Sequence, residues 1–181
     1  MPNHVRFLYA MWAFDRGGYL QDLLHRLKYD YLRTTGTELG RLIARNLPNS
    51  VLNPIEESGR TVYLLPVPLH PSKQRKRGYN QAGAIAEGIA EITGWELTPS
   101  ELAVRLRHTK TQTGLNRAGR QKNVSGAFSI VRADDLRDAV VVIVDDVFTT
   151  GATVFELADT LDHQIGEARD GFTGVITVAG A

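Results

Sequence analysis

The 181-residue sequence contains no cysteine, and this absence removes two classes of protein at once. Neither a disulfide scaffold nor a thiolate zinc site can form without cysteine, so we expect no zinc, and a reducing compartment fits. The chain also lacks any run of about 18 apolar residues and shows no signal-peptide pattern near its first residues. We therefore expect a cytoplasmic protein with no membrane insertion.

Acidic residues are missing from two long stretches of the chain. No Asp or Glu occurs over residues 58–86 or 102–133, whereas ten of the twenty acidic residues lie between positions 134 and 181. Basic segments beside a localised group of acids favour binding of a polyanion together with a divalent metal ion. Solvated basic faces are the alternative interpretation of both stretches.

The order of apolar segments predicts an α/β fold with a mainly parallel central sheet and flanking helices. Strands are expected over residues 61–69, 139–144 and 172–179, and helices over residues 80–93 and 152–161. Apolar residues at spacings of three and four over 19–43 predict two amphipathic helices, interrupted at Gly36. Residues 46–59, rich in Pro, Asn and Ser, predict a loop, residues 101–106 a short helix or strand, and residues 107–126 show no apolar period.

The segment VVIVDDVFTTGATV, residues 141–154, places two carboxylates directly after an apolar run. Asp145 and Asp146 would lie at the carboxyl end of a parallel strand, where ligands bind in open α/β sheets. Adjacent buried carboxylates repel each other, so we expect a cation or hydroxyl groups to bind them. The small residues that follow can turn their N–H groups toward a phosphate at a helix start; they are Thr149, Thr150, Gly151, Ala152 and Thr153. A ribose 5-phosphate fits this combination.

Other proteins with acids after an apolar strand, or with a phosphate loop, fit this segment less well. A receiver domain requires a Lys far beyond the acids, and no Lys follows Asp146. A haloacid-dehalogenase-type phosphatase has two acids one residue apart, and a P-loop has GxxxxGK before Ser or Thr, which is absent. A purely structural strand-to-helix turn stays open as an alternative.

The same segment resembles the phosphoribosyl-pyrophosphate motif of type I phosphoribosyltransferases. Three further segments resemble the ComF family, named for a competence protein implicated in DNA uptake; they are LLPVPLHPSKQRKRGYNQAGAIA (64–86), RLRHTKTQTGLNRAGRQKNVSGAFSI (105–130) and YLQDLLHRLKYDYLRTTGTELGRLI (19–43). The resemblance implies a type I phosphoribosyltransferase fold, with residues 1–50 as a helical segment that forms a small hood and residues 51–181 as the core domain. Many family members start with a four-cysteine zinc ribbon, which this cysteine-free sequence does not match.

The resemblance also implies a role for each candidate residue. Asp145 and Asp146 would face the ribose hydroxyls, directly or through Mg²⁺. The substrate-binding set next to them would comprise Val147, Thr149, Thr150, Gly151, Ala152 and Thr153, with residues 149–153 on the 5-phosphate. The pyrophosphate loop would comprise Val67, Pro68, Leu69 and His70, with the N–H groups of Val67, Leu69 and His70 as donors.

Two groups of basic residues would complete this site. The first could neutralise pyrophosphate, form a solvated face or contact nucleic acid; it comprises Lys73, Arg75, Lys76 and Arg77. Residues 109–123 resemble the mobile loop that closes over the substrate, and the candidates within it are Arg117, Arg120, Lys122 and Asn123.

Two functions stay open at this point. One is a phosphoribosyltransferase that uses phosphoribosyl pyrophosphate with Mg²⁺, an acceptor that the sequence does not identify, and release of pyrophosphate. The other is a non-catalytic protein of DNA uptake that binds single-stranded DNA, or senses phosphoribosyl pyrophosphate or ribose 5-phosphate, with competence-machinery proteins as partners. A homodimer is compatible with both.

Overall fold

A five-stranded parallel sheet forms the centre of the protein. The computed structural model describes residues 1–29, 32–107, 125–166 and 169–181. The sheet has the order β1-β7-β6-β2-β3, with all neighbours parallel. Its strands are β1 (Val5–Ala13), β2 (Val62–Pro66), β3 (Glu96–Leu97), β6 (Val140–Phe148) and β7 (Phe172–Gly180). A separate antiparallel pair is formed by β4 (Ala103–Arg105) and β5 (Phe128–Ile130).

Helices cover both faces of this sheet. They are α1 (Tyr19–Tyr29), α2 (Arg33–Arg45), α3 (Asn49–Ser58), α4 (Pro71–Arg77), α5 (Gln81–Thr93) and α6 (Ala152–Ile165), with a 3-10 turn at Ala133–Leu136. Side chains alternate across a strand, so β6 contributes to two cores. Val142 and Val144 pack in the cluster that contains α1, α2, α3 and α5, whereas Val141 and Ile143 pack with α6. This architecture confirms the predicted α/β class and is consistent with a type I phosphoribosyltransferase-like fold.

Several predicted elements are confirmed because their local signals agree with their packing. The strands expected over 61–69, 139–144 and 172–179 correspond to β2, β6 and β7, and the later helices correspond to α5 and α6. The side chain of Asn80 caps α5 by accepting the Ala82 N–H at 3.2 Å. Gly94, with φ of 74°, ends that helix in the left-handed conformation.

The glycines of α2 and α5 serve close helix packing. The prediction that Gly36 interrupts the helical segment is wrong, because Gly36 lies buried inside α2. A Cβ built on Gly40 would lie 2.0 Å from the Ile85 carbonyl oxygen, and one on Gly88 would lie 2.0 Å from the Thr37 carbonyl oxygen. The backbones of α2 and α5 therefore touch at positions where any side chain would separate them. The sequence pattern of one helix alone does not reveal this need for glycine.

Two further predictions about the first 60 residues are wrong. Residues 46–59 were expected to form a loop, yet α3 covers most of them and buries Val51 and Ile55 on one face. Residues 1–50 are not a purely helical segment, because β1 pairs with β7 at one edge of the main sheet. The domain boundary at residue 50 stays a prediction. Within the described ranges, no helix combines the length and apolarity needed to span a membrane.

Candidate functional site

The acid pair, Asp145 and Asp146, lies within β6 rather than beyond its end. The strand continues to Phe148, and Asp145 is paired in register with Thr177 of β7. Each carboxylate accepts a backbone hydrogen bond from the next residue: Asp145 Oδ1 from the Asp146 N–H at 2.9 Å, and Asp146 Oδ1 from the Val147 N–H at 3.0 Å. These local bonds fix both side chains at the carboxyl edge of the sheet.

Lys28 of α1 forms an ion pair with Asp146. Its ammonium contacts Asp146 Oδ2, and both side chains are largely removed from solvent, with 26% of Lys28 and 7% of Asp146 exposed. Burial by itself would raise the pKa of Asp146, but the charge and hydrogen bond of Lys28, together with a hydrogen bond from Asp145 and the charge of Arg77, hold that pKa below its usual value. Asp146 is therefore ionised and paired.

Asp145 has a different electrostatic environment from its neighbour. Burial, followed by repulsion from Asp146, raises the pKa of Asp145 to about 8. The acid pair therefore carries less than two full negative charges at neutral pH. A ligand that brings a cation or several hydroxyl groups would favour full ionisation of Asp145.

Three further cations lie near Lys28 and the acid pair, and they form a basic cluster of Lys73, Arg77 and Arg105. Lys73 and Arg77 lie one turn apart on α4, and Arg105 ends β4. Burial, then repulsion from Arg105, Arg77 and Lys28, lowers the pKa of Lys73. Burial also lowers the pKa of Arg105, although the charge of Asp145 opposes that effect. Like charges held together in this way create a site for a multiply charged anion.

The predicted pyrophosphate loop, residues 67–70, is only partly open to a ligand. The Val67 N–H donates to the Val144 carbonyl at 2.9 Å, so the prediction that it is a ligand donor is wrong. Pro68 has no N–H group, so the donor role stays a prediction for the Leu69 and His70 N–H groups. His70 Nδ1 accepts the Ser72 N–H at 3.2 Å and so caps α4. A pocket of about 380 Å³ separates this loop from β4, with Pro68, Leu69 and Arg105 among its lining.

The turn at residues 149–153 leads from β6 into α6. Gly151 has φ of 75°, and a Cβ on it would lie 2.3 Å from the Phe155 ring. The turn therefore requires glycine at position 151, and α6 starts at the next residue, Ala152. The Thr150 hydroxyl is buried and has no hydrogen-bond partner among the described residues. This hydroxyl and the α6 N–H groups are donors that an anionic ligand could use.

Comparison with known proteins identifies the family. Competence protein F of Haemophilus influenzae is 37% identical over 101 residues, which are 54% of this chain and 43% of that protein. DNA utilization protein YhgH of Escherichia coli K12 is 32% identical over 146 residues, and its Salmonella typhi counterpart is 33% identical over 143 residues. The chain belongs to the ComF family. No protein-family model matches the sequence.

The alignments to these ComF-family relatives cover most of this chain but a smaller part of each relative. The two YhgH alignments cover 78% and 77% of this chain but only 60% and 59% of the relatives. The family assignment therefore confirms the resemblance to the ComF family that the sequence predicted. Because the chain spans only part of the relatives' length, the function of the complete relatives is not assigned to this chain by the alignments.

The structure brings together most of the residues that the motifs singled out. The acid pair lies near the carboxyl end of β6, and the 67–70 loop, Arg77 and the 149–153 turn follow the carboxyl ends of β2 and β6. Arg75 and Lys76 are exposed on α4, whereas Lys73 and Arg77 are partly buried. The loop candidates Arg117, Arg120, Lys122 and Asn123 lie outside the described residues.

Two site residues, Lys28 and Arg105, escaped the sequence analysis. Lys28 sits in an amphipathic helix, where a lysine is an ordinary surface residue. Arg105 follows two apolar residues of a three-residue strand. The one available signal was the position of Arg105 in an acid-free stretch, and it did not distinguish this arginine from its neighbours.

Proposed function

We propose that the protein binds phosphoribosyl pyrophosphate with Mg²⁺ and transfers the phosphoribosyl group to an acceptor, releasing pyrophosphate. One observation carries this proposal. The acid pair, the Gly151 turn and the basic cluster meet at the carboxyl edge of one parallel sheet, where ligands of such sheets bind. A ligand with a sugar diol between a phosphate and a diphosphate would use all three.

Each part of the site would have one task. The acid pair would accept hydrogen bonds from the ribose 2- and 3-hydroxyls. The 149–153 turn would hold the 5-phosphate, with the Thr150 hydroxyl as a side-chain donor. Lys73, Arg77 and Arg105 would face the diphosphate, because charge-assisted contacts to phosphate are strong.

The donor set fits a magnesium ion that the ligand itself helps to hold. Mg²⁺ is commonly bound by one or two carboxylates together with substrate phosphates and waters. Asp145 and Asp146 supply carboxylates, and no group of three His, Cys, Asp or Glu side chains suited to a metal occurs among the described residues. When bound, the ion would supply positive charge to the leaving pyrophosphate.

The proposed reaction breaks the bond between ribose C1 and the pyrophosphate oxygen, which keeps the bonding electron pair. The acceptor nucleophile forms the new bond to C1, through an oxocarbenium-like state. Lys73, Arg77 and Arg105 would stabilise the departing charge, and the acid pair and turn would keep the ribose in position. A reducing cytoplasm is part of this proposal, in keeping with a sequence that has no cysteine.

Calorimetry with phosphoribosyl pyrophosphate, ribose 5-phosphate and pyrophosphate, each with and without Mg²⁺, tests the binding. We expect Mg²⁺-dependent binding of phosphoribosyl pyrophosphate, and pyrophosphate release when a suitable acceptor from a panel of bases and amines is added. Thr150→Val tests the 5-phosphate site, because it removes a hydroxyl that has no partner among the described residues. It should weaken ribose 5-phosphate binding and leave pyrophosphate binding unchanged. Absence of binding by the wild-type protein would contradict the proposal.

A second candidate function is contact with single-stranded DNA. The observation that favours it is the names of the relatives, which refer to competence and DNA utilization. Arg75 and Lys76 on the exposed side of α4 are the residues of this chain that we propose for such contact. Binding of DNA without pyrophosphate release for any acceptor would favour a non-catalytic protein that retains the ligand site as a sensor.

A further inference from the structure

Helix α1 is held against the candidate site by two polar contacts near its C-terminal end. Lys28 pairs with Asp146, and the preceding residue, Leu27, accepts a hydrogen bond at its carbonyl from the Tyr79 hydroxyl. Leu24 and Leu27 also bury their side chains in the core. The helix is thus anchored by its apolar face, while Lys28 extends to the acid pair.

The Lys28 contact uses the part of Asp146 that a ligand would need. Asp146 Oδ1 already accepts the Val147 N–H, and Lys28 takes the other oxygen, Oδ2. Oδ2 is the oxygen of this carboxylate that no backbone N–H uses, so it is the more open acceptor for a sugar hydroxyl or a metal ion. The ammonium therefore stands where the diol or ion of the proposed ligand would bind.

The surroundings of Lys28 make this contact replaceable. Arg77 repels Lys28, and Lys28 in turn repels Lys73, so Asp146 and Asp145 are the groups that hold the ammonium in place. The lysine side chain is long and flexible, and a quarter of it is exposed. When a ligand binds Asp146, Lys28 loses its main attractive interaction, while the repulsion from its like-charged neighbours remains.

We propose that the Lys28–Asp146 pair is a self-inhibitory latch: α1 occupies the acid pair when no ligand is bound, and ligand binding releases Lys28 and loosens the end of α1. This inference rests on the proposed function, since the competing ligand is the phosphoribosyl group. The ligand and Lys28 then compete for Asp146. By thermodynamic linkage, ligand binding weakens the docking of α1, and the docking of α1 weakens ligand binding.

Calorimetry of ribose 5-phosphate with Mg²⁺ separates the outcomes. Lys28→Met keeps the length of the side chain and removes the latch, so its affinity should rise about tenfold, within the range usual for linked binding. Arg26→Met is the matched control, because Arg26 is on the same helix and pairs with Asp22 at 3.0 Å on the exposed surface. It removes the same charge without touching Asp146, so its affinity should stay at the wild-type value.

Every other result contradicts some part of the proposal. Equal affinity of Lys28→Met and wild type would overturn the latch but keep the proposed function. Weaker binding by Lys28→Met alone would make Lys28 a ligand-binding residue and also overturn the latch. Absence of binding by both proteins would contradict the proposed function itself.

Hydrogen exchange of the amides in α1 gives a second measurement that does not depend on affinity. In the wild-type protein, amides near Leu27 and Lys28 should exchange faster when ribose 5-phosphate and Mg²⁺ are added. In Lys28→Met they should already exchange faster without ligand, while those of α5 stay unchanged as a measure of intact folding. Slower exchange of α1 with ligand would show that the helix closes on the ligand, which the latch forbids.

Discussion

Lys73 and Arg77 lie one turn apart on α4 and are both partly buried near Lys28, whereas Arg75 and Lys76, between them in sequence, are exposed. The local sequence KQRKR does not distinguish the two pairs. Their separation by a helical turn gives them different partners, and therefore different expected functions.

The inner pair should determine diphosphate affinity. Lys73→Met combined with Arg77→Met should lower the affinity for phosphoribosyl pyrophosphate about 100-fold, since each lost contact to a charged group costs about 1.5 kcal/mol or more. Affinity for ribose 5-phosphate should change little, because that ligand lacks the diphosphate. Calorimetry with both ligands measures the difference. Equal losses for the two ligands would instead indicate a general change in the site.

The outer pair should matter only for nucleic acid. If Arg75 and Lys76 contact a single-stranded backbone, replacing both with Gln should reduce the slope of log affinity against log salt by about 1.4, or about 0.7 for each contact. Fluorescence anisotropy with a labelled oligonucleotide at several salt concentrations measures this slope. The same variant should keep wild-type affinity for phosphoribosyl pyrophosphate. An unchanged slope would assign both residues to a solvated face.

Asp145 should make stability fall as pH rises. Its pKa is raised to about 8 in the folded protein, while an unfolded aspartate has a pKa of about 3.9. Between these values the folded state binds more protons, so the free energy of unfolding decreases from about pH 4 to about pH 8. Asp145→Asn should flatten this decrease, as measured by denaturant unfolding from pH 5 to pH 9. A profile as steep as that of the wild type would contradict the assignment.

Asp146→Asn is the contrasting variant. It leaves Lys28 without its carboxylate partner in a largely buried position, which should cost about 1–3 kcal/mol of stability at neutral pH. The neighbouring carboxylates should thus respond in opposite directions above neutral pH, Asp145→Asn with a gain and Asp146→Asn with a loss. Stabilisation by both variants would indicate that repulsion within the acid pair exceeds the attraction of Lys28.

Gly151→Ala should impair binding of ribose 5-phosphate and destabilise the protein. The positive φ costs about 1 kcal/mol for an alanine, and the new methyl group would meet the Phe155 ring. Gly59→Ala provides the matched control, since Gly59 has φ of 60° but open space around it at the end of α3. Thermal unfolding should show a larger loss for Gly151→Ala, and calorimetry should show a binding loss for this variant alone. Equal effects of the two substitutions would remove the special role of the turn.

The parts of this protein that the sequence determined are those whose signal is local. The apolar run of β6 predicts a strand covered on both faces, because no polar residue marks a solvent side. Asn80 and Gly94 delimit α5 because their cap conformations involve only neighbouring residues. The acid pair lies near the end of β6 and Gly151 comes shortly after that strand, so a single stretch of sequence contained a large part of the candidate site.

Tertiary structure decided the features that depend on distant residues. Lys28 reaches Asp146 across more than a hundred residues of sequence, and nothing in α1 itself distinguishes this lysine from a surface one. The Val67 N–H lost its predicted role because Val144, on the neighbouring strand, accepts its hydrogen bond. Gly40 and Gly88 are needed only because α2 and α5 touch. Local pattern determines which elements form, whereas the charges and donors that a site offers depend on which elements the fold brings into contact.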